Sequence, residues 1–140
     1  MEIGLAQTQR DFFEVVHLRI EVFVLEQQVD ITIEQDDRDL DALHYLARID
    51  NQPVGCLRIL LENDQAIIGR VAVLHSWRHQ GIGAALMQAA EQDPQVKQRH
   101  RIHLHAQLTA RPFYEKCGYV AASEIFEEAG IQHVLMEKIV

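Results

Sequence analysis

The stretch from Ala66 to Gln92 constrains the fold most, because a strand-like run leads through a short polar loop directly into an amphipathic helix. The run ends near Leu74, and the loop that follows carries Arg78 and two glycines, Gly81 and Gly83. Apolar residues then recur at helical spacing, at Ile82, Ala85, Leu86, Ala89 and Ala90. This strand–loop–helix unit predicts a sheet with at least one helix packed on it.

The rest of the chain divides into short segments with strand, helix and turn signals. Thr8, followed three residues later by Asp11, is typical of a helix N-cap, and the apolar spacing predicts a helix to about Glu26. Pro94 predicts the end of the helix that starts near Ile82. Strands are predicted at 1–7, 44–49, 54–61, 66–74, 101–107, 119–122 and 132–139, with a second short helix at 111–117. The strand at 101–107 is predicted to be buried, with Ile102, Leu104 and Ala106 on one face. An antiparallel meander followed by alternating helices and strands predicts a mixed α/β fold, one domain over residues 1–140.

Composition agrees with one globular domain and limits the classes of function. The 140 residues are 48% hydrophobic and 24% charged, with a formal net charge of −8. An acidic chain lacks the basic face that broad nucleic-acid binding requires, so we expect no nucleic-acid partner. No apolar run is long enough to span a membrane and residues 1–10 lack signal-peptide features, so we expect a cytoplasmic location. The two cysteines and eight histidines lack zinc-site spacing, so we expect no metal.

The loop between strand and helix has the features of an anion site. The first N–H groups of a helix have no internal partner, and the helix dipole places partial positive charge there. Such a helix start attracts phosphate groups. Gly81 and Gly83 remove the Cβ atoms that would hold a phosphate away from the main chain, and Arg78 and His79 add side-chain donors. The alternative interpretation is a plain turn that feeds a helix, which a bare Gly-x-Gly would favour.

Two motifs give this loop a specific resemblance. Arg78-x-x-Gly81-x-Gly83, directly after the strand at 69–73, resembles the pyrophosphate-binding motif of the GNAT superfamily of N-acetyltransferases. Downstream, Phe113-Tyr114-x-x-x-Gly118-Tyr119 is similar to the Phe-Tyr-x-x-x-Gly-Phe signature of that superfamily. Four further stretches resemble the ElaA-like branch: 18–29, 42–44, 104–107 and 129–133.

The resemblance implies a twisted mixed sheet that is splayed at its centre, with helices on both faces, and acetyl-CoA or a related short-chain acyl-CoA as co-substrate. The pantetheine arm would lie along the central strand, and the helix start would hold the pyrophosphate. The residues it implies for cofactor binding are Val71, Ala72, Val73, Arg78, His79, Gln80, Gly81, Ile82, Gly83, Ala84, Gln107, Phe113, Tyr114 and Lys116.

Acyl transfer from a thioester to an amine needs an acid for the leaving thiolate and a base for the amine. A phenol is protonated at neutral pH, and the resemblance implies that Tyr114 is the general acid. A buried tyrosine that only packs beside the cofactor is the alternative. Several residues are candidate bases, foremost Glu26, His44 and His105, with Glu34, Asp36, Asp37 and His75 also open.

These observations predict an N-acetyltransferase that moves an acetyl group directly from acetyl-CoA to a primary amine through a ternary complex. The acceptor would be a small molecule or a peptide, and the protein a monomer or a homodimer. A non-catalytic acyl-CoA-binding module and a phosphate-ligand enzyme of another class remain alternatives.

Overall fold

The computed structural model describes residues 1–139, which form one sheet with helices on both faces. The strands are β1 (Glu2–Leu5), β2 (Leu43–Ile49), β3 (Gln52–Glu62), β4 (Gln65–Val73), β5 (Arg101–Gln107), β6 (Val120–Ala121), β7 (Phe126–Glu128) and β8 (Ile131–Ile139). The helices are α1 (Gln9–Arg19), α2 (Ile31–Glu34), α3 (Ile82–Gln92), α4 (Pro94–Lys97) and α5 (Arg111–Lys116). None of the helices described is long and apolar enough to cross a membrane.

The strand order is β1-β2-β3-β4-β5-β8-β6, with β7 paired to β8. The pairs from β1 to β4 are antiparallel, which confirms the predicted meander. The chain then crosses through α3 and α4 to β5, which pairs parallel to β4 and antiparallel to β8. The architecture is therefore the predicted mixed α/β fold.

The first helix begins as the sequence predicts. The Thr8 side chain accepts a hydrogen bond from the Asp11 N–H, and the Asp11 carboxylate accepts one in return from the Thr8 N–H. This reciprocal pair satisfies two of the free N–H groups at the helix start. The predicted helix to Glu26 is α-helical only through Arg19, and residues Ile20–Glu26 continue it as a wider π-helical segment.

The hydrophobic core has two parts, one on each face of the sheet. The larger part packs α3 against the sheet and includes Ile102, Leu104 and Ala106, the face of β5 that the sequence predicts to be buried. The smaller part packs α1 against the opposite face, where Val15 and Leu18 of the helix meet Leu46, Cys56 and Ala72 of the sheet.

The two central strands separate after a short contact. β4 and β5 pair only from Gln65 to Ile67, although β4 continues to Val73. The pairing of β4 with β3 is irregular at the same place, between Cys56 and Arg58, and Arg70 has a φ of 52°. An irregularity of this kind bends and twists a strand away from its neighbour. The sheet is thus splayed at its centre, as the resemblance implies.

Two short elements were not predicted. Pro94 was predicted to end α3, which stops at Gln92. Pro94 is also the first residue of α4, and Asp93 caps this helix by accepting a hydrogen bond from the Gln95 N–H. Proline suits the first helical position because its missing N–H would have no partner there. The three residues of β7 form a hairpin with β8 through Ala129 and Gly130, both at positive φ.

Candidate active site

The splayed strands open a cleft of about 1040 Å³. Its walls come from β4, the start of α3, β5, α5, the segment that follows α1, and the β7–β8 hairpin. Val71, Ala72 and Val73 of β4 line it on one side, and His105 and Gln107 of β5 on the other. Because β5 no longer pairs with this part of β4, the strand offers free main-chain groups to a ligand in the gap.

The start of α3 leaves a run of main-chain N–H groups without partners. The first helical bond runs from the Ala85 N–H to the Gly81 carbonyl, and no hydrogen bond within residues 1–139 uses the N–H groups of residues 79–84. No side chain caps this helix. His79, Gly81, Ile82, Gly83 and Ala84 line the cleft, as does Arg78, so these donors face an open space. Gln80 is exposed beside them and does not line the cleft.

The two glycines at the helix start have different roles. Gly81 has a φ of 82°, a left-handed conformation that glycine adopts without strain, and a Cβ at this position would meet no atom within 4 Å. The space beside it is thus open to a ligand. A Cβ on Gly83 would lie 3.2 Å from the Phe113 ring, so Gly83 allows α3 and α5 to approach closely.

Arg78 is held in place by two partners. Its Nε donates to the Val73 carbonyl at 2.9 Å, and its two terminal nitrogens donate to the Glu26 carboxylate at 2.6 and 2.7 Å. The hydrogen bonds from Arg78 hold the pKa of Glu26 below its ordinary value. A carboxylate so engaged is a weak proton acceptor, and Glu26 does not line the cleft.

Tyr114 lies on the cleft wall with only 8% of its surface exposed. Pro112 at the start of α5 and the turn at Gly118 place it, and its ring packs edge-on against Phe113, with the ring centroids 4.9 Å apart. Burial raises the pKa of Tyr114 well above its ordinary value, so the phenol keeps its proton. Lys116, two residues further on, is exposed and outside the cleft lining.

The two candidate histidines occupy different places. His44 does not line the cleft; its Nε2 donates to the Asp39 carbonyl at 2.8 Å, and burial holds its pKa below the ordinary value. His105 does line the cleft, and its Nδ1 lies 2.9 Å from the Glu128 carboxylate. The structure therefore brings only one of the three leading base candidates to the cleft.

A charge network centred on buried Arg19 forms part of the cleft wall. The Arg19 guanidinium, 1% exposed, donates to the Glu34 carboxylate at 2.9 Å and to Asp39 at 2.8 Å. Arg58 donates to Asp36 and Asp39, and Arg70 donates to the Glu34 carboxylate and main chain. Glu34 and Asp36 line the cleft, whereas Asp37 and His75 do not. The network joins the loop around α2 to the bend in β4.

Sequence reasoning missed two residues of this cleft, Glu128 and His133. His133 is 7% exposed and lines the cleft, directly opposite Gln107 in the pairing of β5 with β8. Gln107 in turn donates to the Gln27 side chain at 2.8 Å. The turn signal at 129–130 could have identified them, because a hairpin there brings residue 133 back towards residue 128. Within residues 1–139 no group of three ligating side chains is arranged to hold a metal ion.

Comparison with known proteins gives one consistent result. The model of the acetyltransferase (GNAT) domain family matches residues 10–140. Protein ElaA of Escherichia coli is 32% identical over 90% of this chain and 86% of its own, and its crystal structure superposes with a TM-score of 0.84, covering 99% of both chains. An acyl-CoA N-acyltransferase from Pseudomonas aeruginosa is 32% identical, with a TM-score of 0.83 over 98% of this chain and 97% of that one. The PaiA N-acetyltransferase of Thermoplasma acidophilum, solved in complex with coenzyme A, shares the fold at 17% identity, with a TM-score of 0.78 and full coverage of both chains.

Proposed function

The chain belongs to the GNAT acetyltransferase family, and from that premise we propose that it transfers an acetyl group from acetyl-CoA directly to a primary amine of a small molecule or a peptide. The observation that carries the proposal is the row of unpartnered N–H groups at residues 79–84, which faces a cleft large enough for a cofactor arm. The name of the Pseudomonas aeruginosa relative, an acyl-CoA N-acyltransferase, supports an acyl-CoA as the donor.

The helix start suits a pyrophosphate because it supplies several donors without a side chain in the way. Main-chain N–H groups of residues 79–84 would bond the phosphate oxygens, and the dipole of α3 adds partial positive charge. Gly81 keeps the approach open. The Arg78 guanidinium lines the cleft beside these donors, and its hydrogen bonds to Val73 and Glu26 hold it in a fixed position.

The free edge of β4 suits the pantetheine arm. Residues 71–73 line the cleft beyond the point where β5 leaves β4, so their main-chain groups on that edge have no strand partner. The Val73 carbonyl accepts a hydrogen bond from the Arg78 side chain. An amide-containing chain can bond such an edge as an added strand would. The Val71 N–H is then the donor that we assign to the oxygen of the thioester carbonyl as negative charge develops on it.

Tyr114 suits the role of proton donor to the leaving thiolate. It lines the cleft, and burial raises its pKa, so it keeps its proton at neutral pH. Glu26 is bonded to Arg78 and His44 does not line the cleft, so neither is assigned a role in proton transfer. His105 does line the cleft, and we assign it a role there. His105 is close to half exposed, so we assign it to the path by which the proton reaches solvent.

The proposal is tested by calorimetric titration with coenzyme A and by thiol release from acetyl-CoA with phenethylamine, spermidine and a tripeptide with a free N-terminus as acceptors. We expect coenzyme A binding and amine-dependent thiol release. Binding without turnover on any acceptor would support the non-catalytic acyl-CoA-binding module instead. Absence of coenzyme A binding would refute both.

A further inference from the structure

The β7–β8 hairpin brings a histidine into the cleft with a defined orientation. His133 Nδ1 lies 2.7 Å from the carbonyl oxygen of Ile131. A carbonyl oxygen only accepts hydrogen bonds, so Nδ1 carries the ring hydrogen in the neutral imidazole. The other ring nitrogen, Nε2, therefore presents a lone pair. Nε2 has no hydrogen-bond partner within residues 1–139, and the residue lines the cleft.

A carboxylate stands beside that nitrogen. Glu128 Oε2 is 3.8 Å from His133 Nε2, and the other oxygen, Oε1, is 2.9 Å from His105 Nδ1. Neutral Nε2 and a carboxylate are both acceptors, which accounts for the longer distance. Once Nε2 gains a proton it becomes a donor, and the two form an ion pair. The Phe126 ring stacks on the His133 ring at 6.0 Å, with 21° between the planes, and limits its rotation.

We propose that His133 Nε2 is the general base that removes a proton from the acceptor amine, that Glu128 is positioned to stabilise the resulting imidazolium, and that His105 passes the proton to solvent. This inference rests on the proposed function. Other titratable and charged groups line the same cleft: Tyr114, Glu34, Asp36, Arg58, Arg70, Arg78 and His79. Glu34 pairs with Arg70 and with buried Arg19, and Asp36 pairs with Arg58. Glu128 is therefore the carboxylate that faces the two histidines.

The transfer balances as follows. The ammonium group gives one proton to His133 Nε2, and its freed electron pair forms the bond from nitrogen to the carbonyl carbon of the thioester. The carbon–sulfur bond breaks, its electron pair leaves on sulfur, and the Tyr114 hydroxyl protonates the thiolate. The second proton lost by the nitrogen restores the Tyr114 phenol. The proton on His133 is released through Glu128 and His105, so one amide, one free coenzyme A thiol and one proton result.

The decisive variant is His133→Asn. The asparagine amide can replace Nδ1 as donor to the Ile131 carbonyl, but it has no atom in place of Nε2, so it removes the base and keeps the local bond. At pH 7 we expect kcat for phenethylamine to fall about 10²- to 10⁴-fold, the range for loss of a general base. Coenzyme A affinity and thermal midpoint should stay unchanged. His17→Asn, the same change at an exposed position on α1, serves as the control and should leave turnover unchanged.

A pH series separates loss of a base from loss of structure. Above about pH 10 an alkylamine is largely deprotonated in solution, so the defect of His133→Asn should shrink at least tenfold there. Glu128→Gln tests the positioning residue, and it should lower kcat with KM unchanged, by less than His133→Asn does. Full turnover by His133→Asn at pH 7, or a defect that is equal at every pH, would overturn the assignment of the base while the proposed function stands. Absence of turnover by the unsubstituted protein would overturn both.

Discussion

The start of α3 makes a quantitative prediction about charge at Gly81. Gly81→Asp places a carboxylate in the open space beside the unpartnered N–H groups, where the pyrophosphate would lie. Gly81→Asn adds a side chain of the same shape without the charge. Both residues tolerate positive φ better than other non-glycine residues, so the backbone cost at φ 82° is similar in the two variants. The difference between them therefore isolates electrostatic repulsion.

The size of that difference follows from Coulomb's law. The repulsion between the carboxylate that Gly81→Asp introduces and one pyrophosphate charge about 5 Å away is roughly 1.7 kcal/mol at an effective dielectric constant of about 40. The pyrophosphate carries two such charges. With partial screening we expect Gly81→Asp to bind coenzyme A about 2–3 kcal/mol more weakly than Gly81→Asn, or roughly 30- to 150-fold. Calorimetric titration at low and high salt measures the difference, which should decrease with added salt. Equal affinities of the two variants, or affinity of Gly81→Asp equal to that of the unsubstituted protein, would refute the location of the pyrophosphate.

Three further predictions concern single side chains. Tyr114→Phe should keep coenzyme A affinity and lower kcat about 10- to 1000-fold, because it removes the hydroxyl and keeps the packing against Phe113; unchanged turnover in the thiol-release assay would remove Tyr114 from the acid role. Glu26→Gln should retain turnover within about tenfold, because the pKa of Glu26 is already held low by Arg78, and a 100-fold loss would contradict its exclusion as the base. Burial raises the pKa of Asp39, but the hydrogen bonds and charges of Arg19 and Arg58 outweigh burial and hold that pKa below the ordinary value. This stabilisation is present above the unfolded pKa of about 3.9 and is lost as pH falls through the folded one, so the free energy of unfolding in urea should decline below about pH 4, and less steeply in Asp39→Asn.

The parts of the fold that the sequence predicts are those governed by local rules. The N-cap at Thr8, the bounds of α3 and the buried face of β5 all follow from spacing or from a single cap, and the structure confirms them. The change to π-helical geometry after Arg19 was not predictable, because the buried bonds of Arg19 reach residues 15 and 20 positions further along the chain. The strand β7 was missed because three mostly exposed residues carry no apolar alternation.

The same contrast divides the candidate site. The side that we assign to the cofactor is built from main-chain N–H groups. A site of this kind needs only glycines and a helix start at fixed spacing, so a motif can identify it. The side that we assign to the acceptor is built from charged, imidazole and amide side chains that come from distant parts of the chain. His105 and Glu128 are 23 residues apart, and Gln107 and Gln27 are 80 apart. No spacing rule predicts such pairs, which is why the sequence left the base open.

Under the proposed function, this division allows the fold to keep its acyl donor while the acceptor changes. We call the buried charge network around Arg19 and Glu34 the acceptor wall. The N–H groups at 79–84 depend on the backbone of α3 and would survive most side-chain substitutions outside Gly81 and Gly83. The acceptor wall depends on side chains whose charges are balanced by buried partners, as Glu34 is by Arg19. Removing one member leaves the other buried and unpaired, which typically costs about 3–5 kcal/mol. The acceptor wall can therefore change only by coordinated substitutions of these paired side chains.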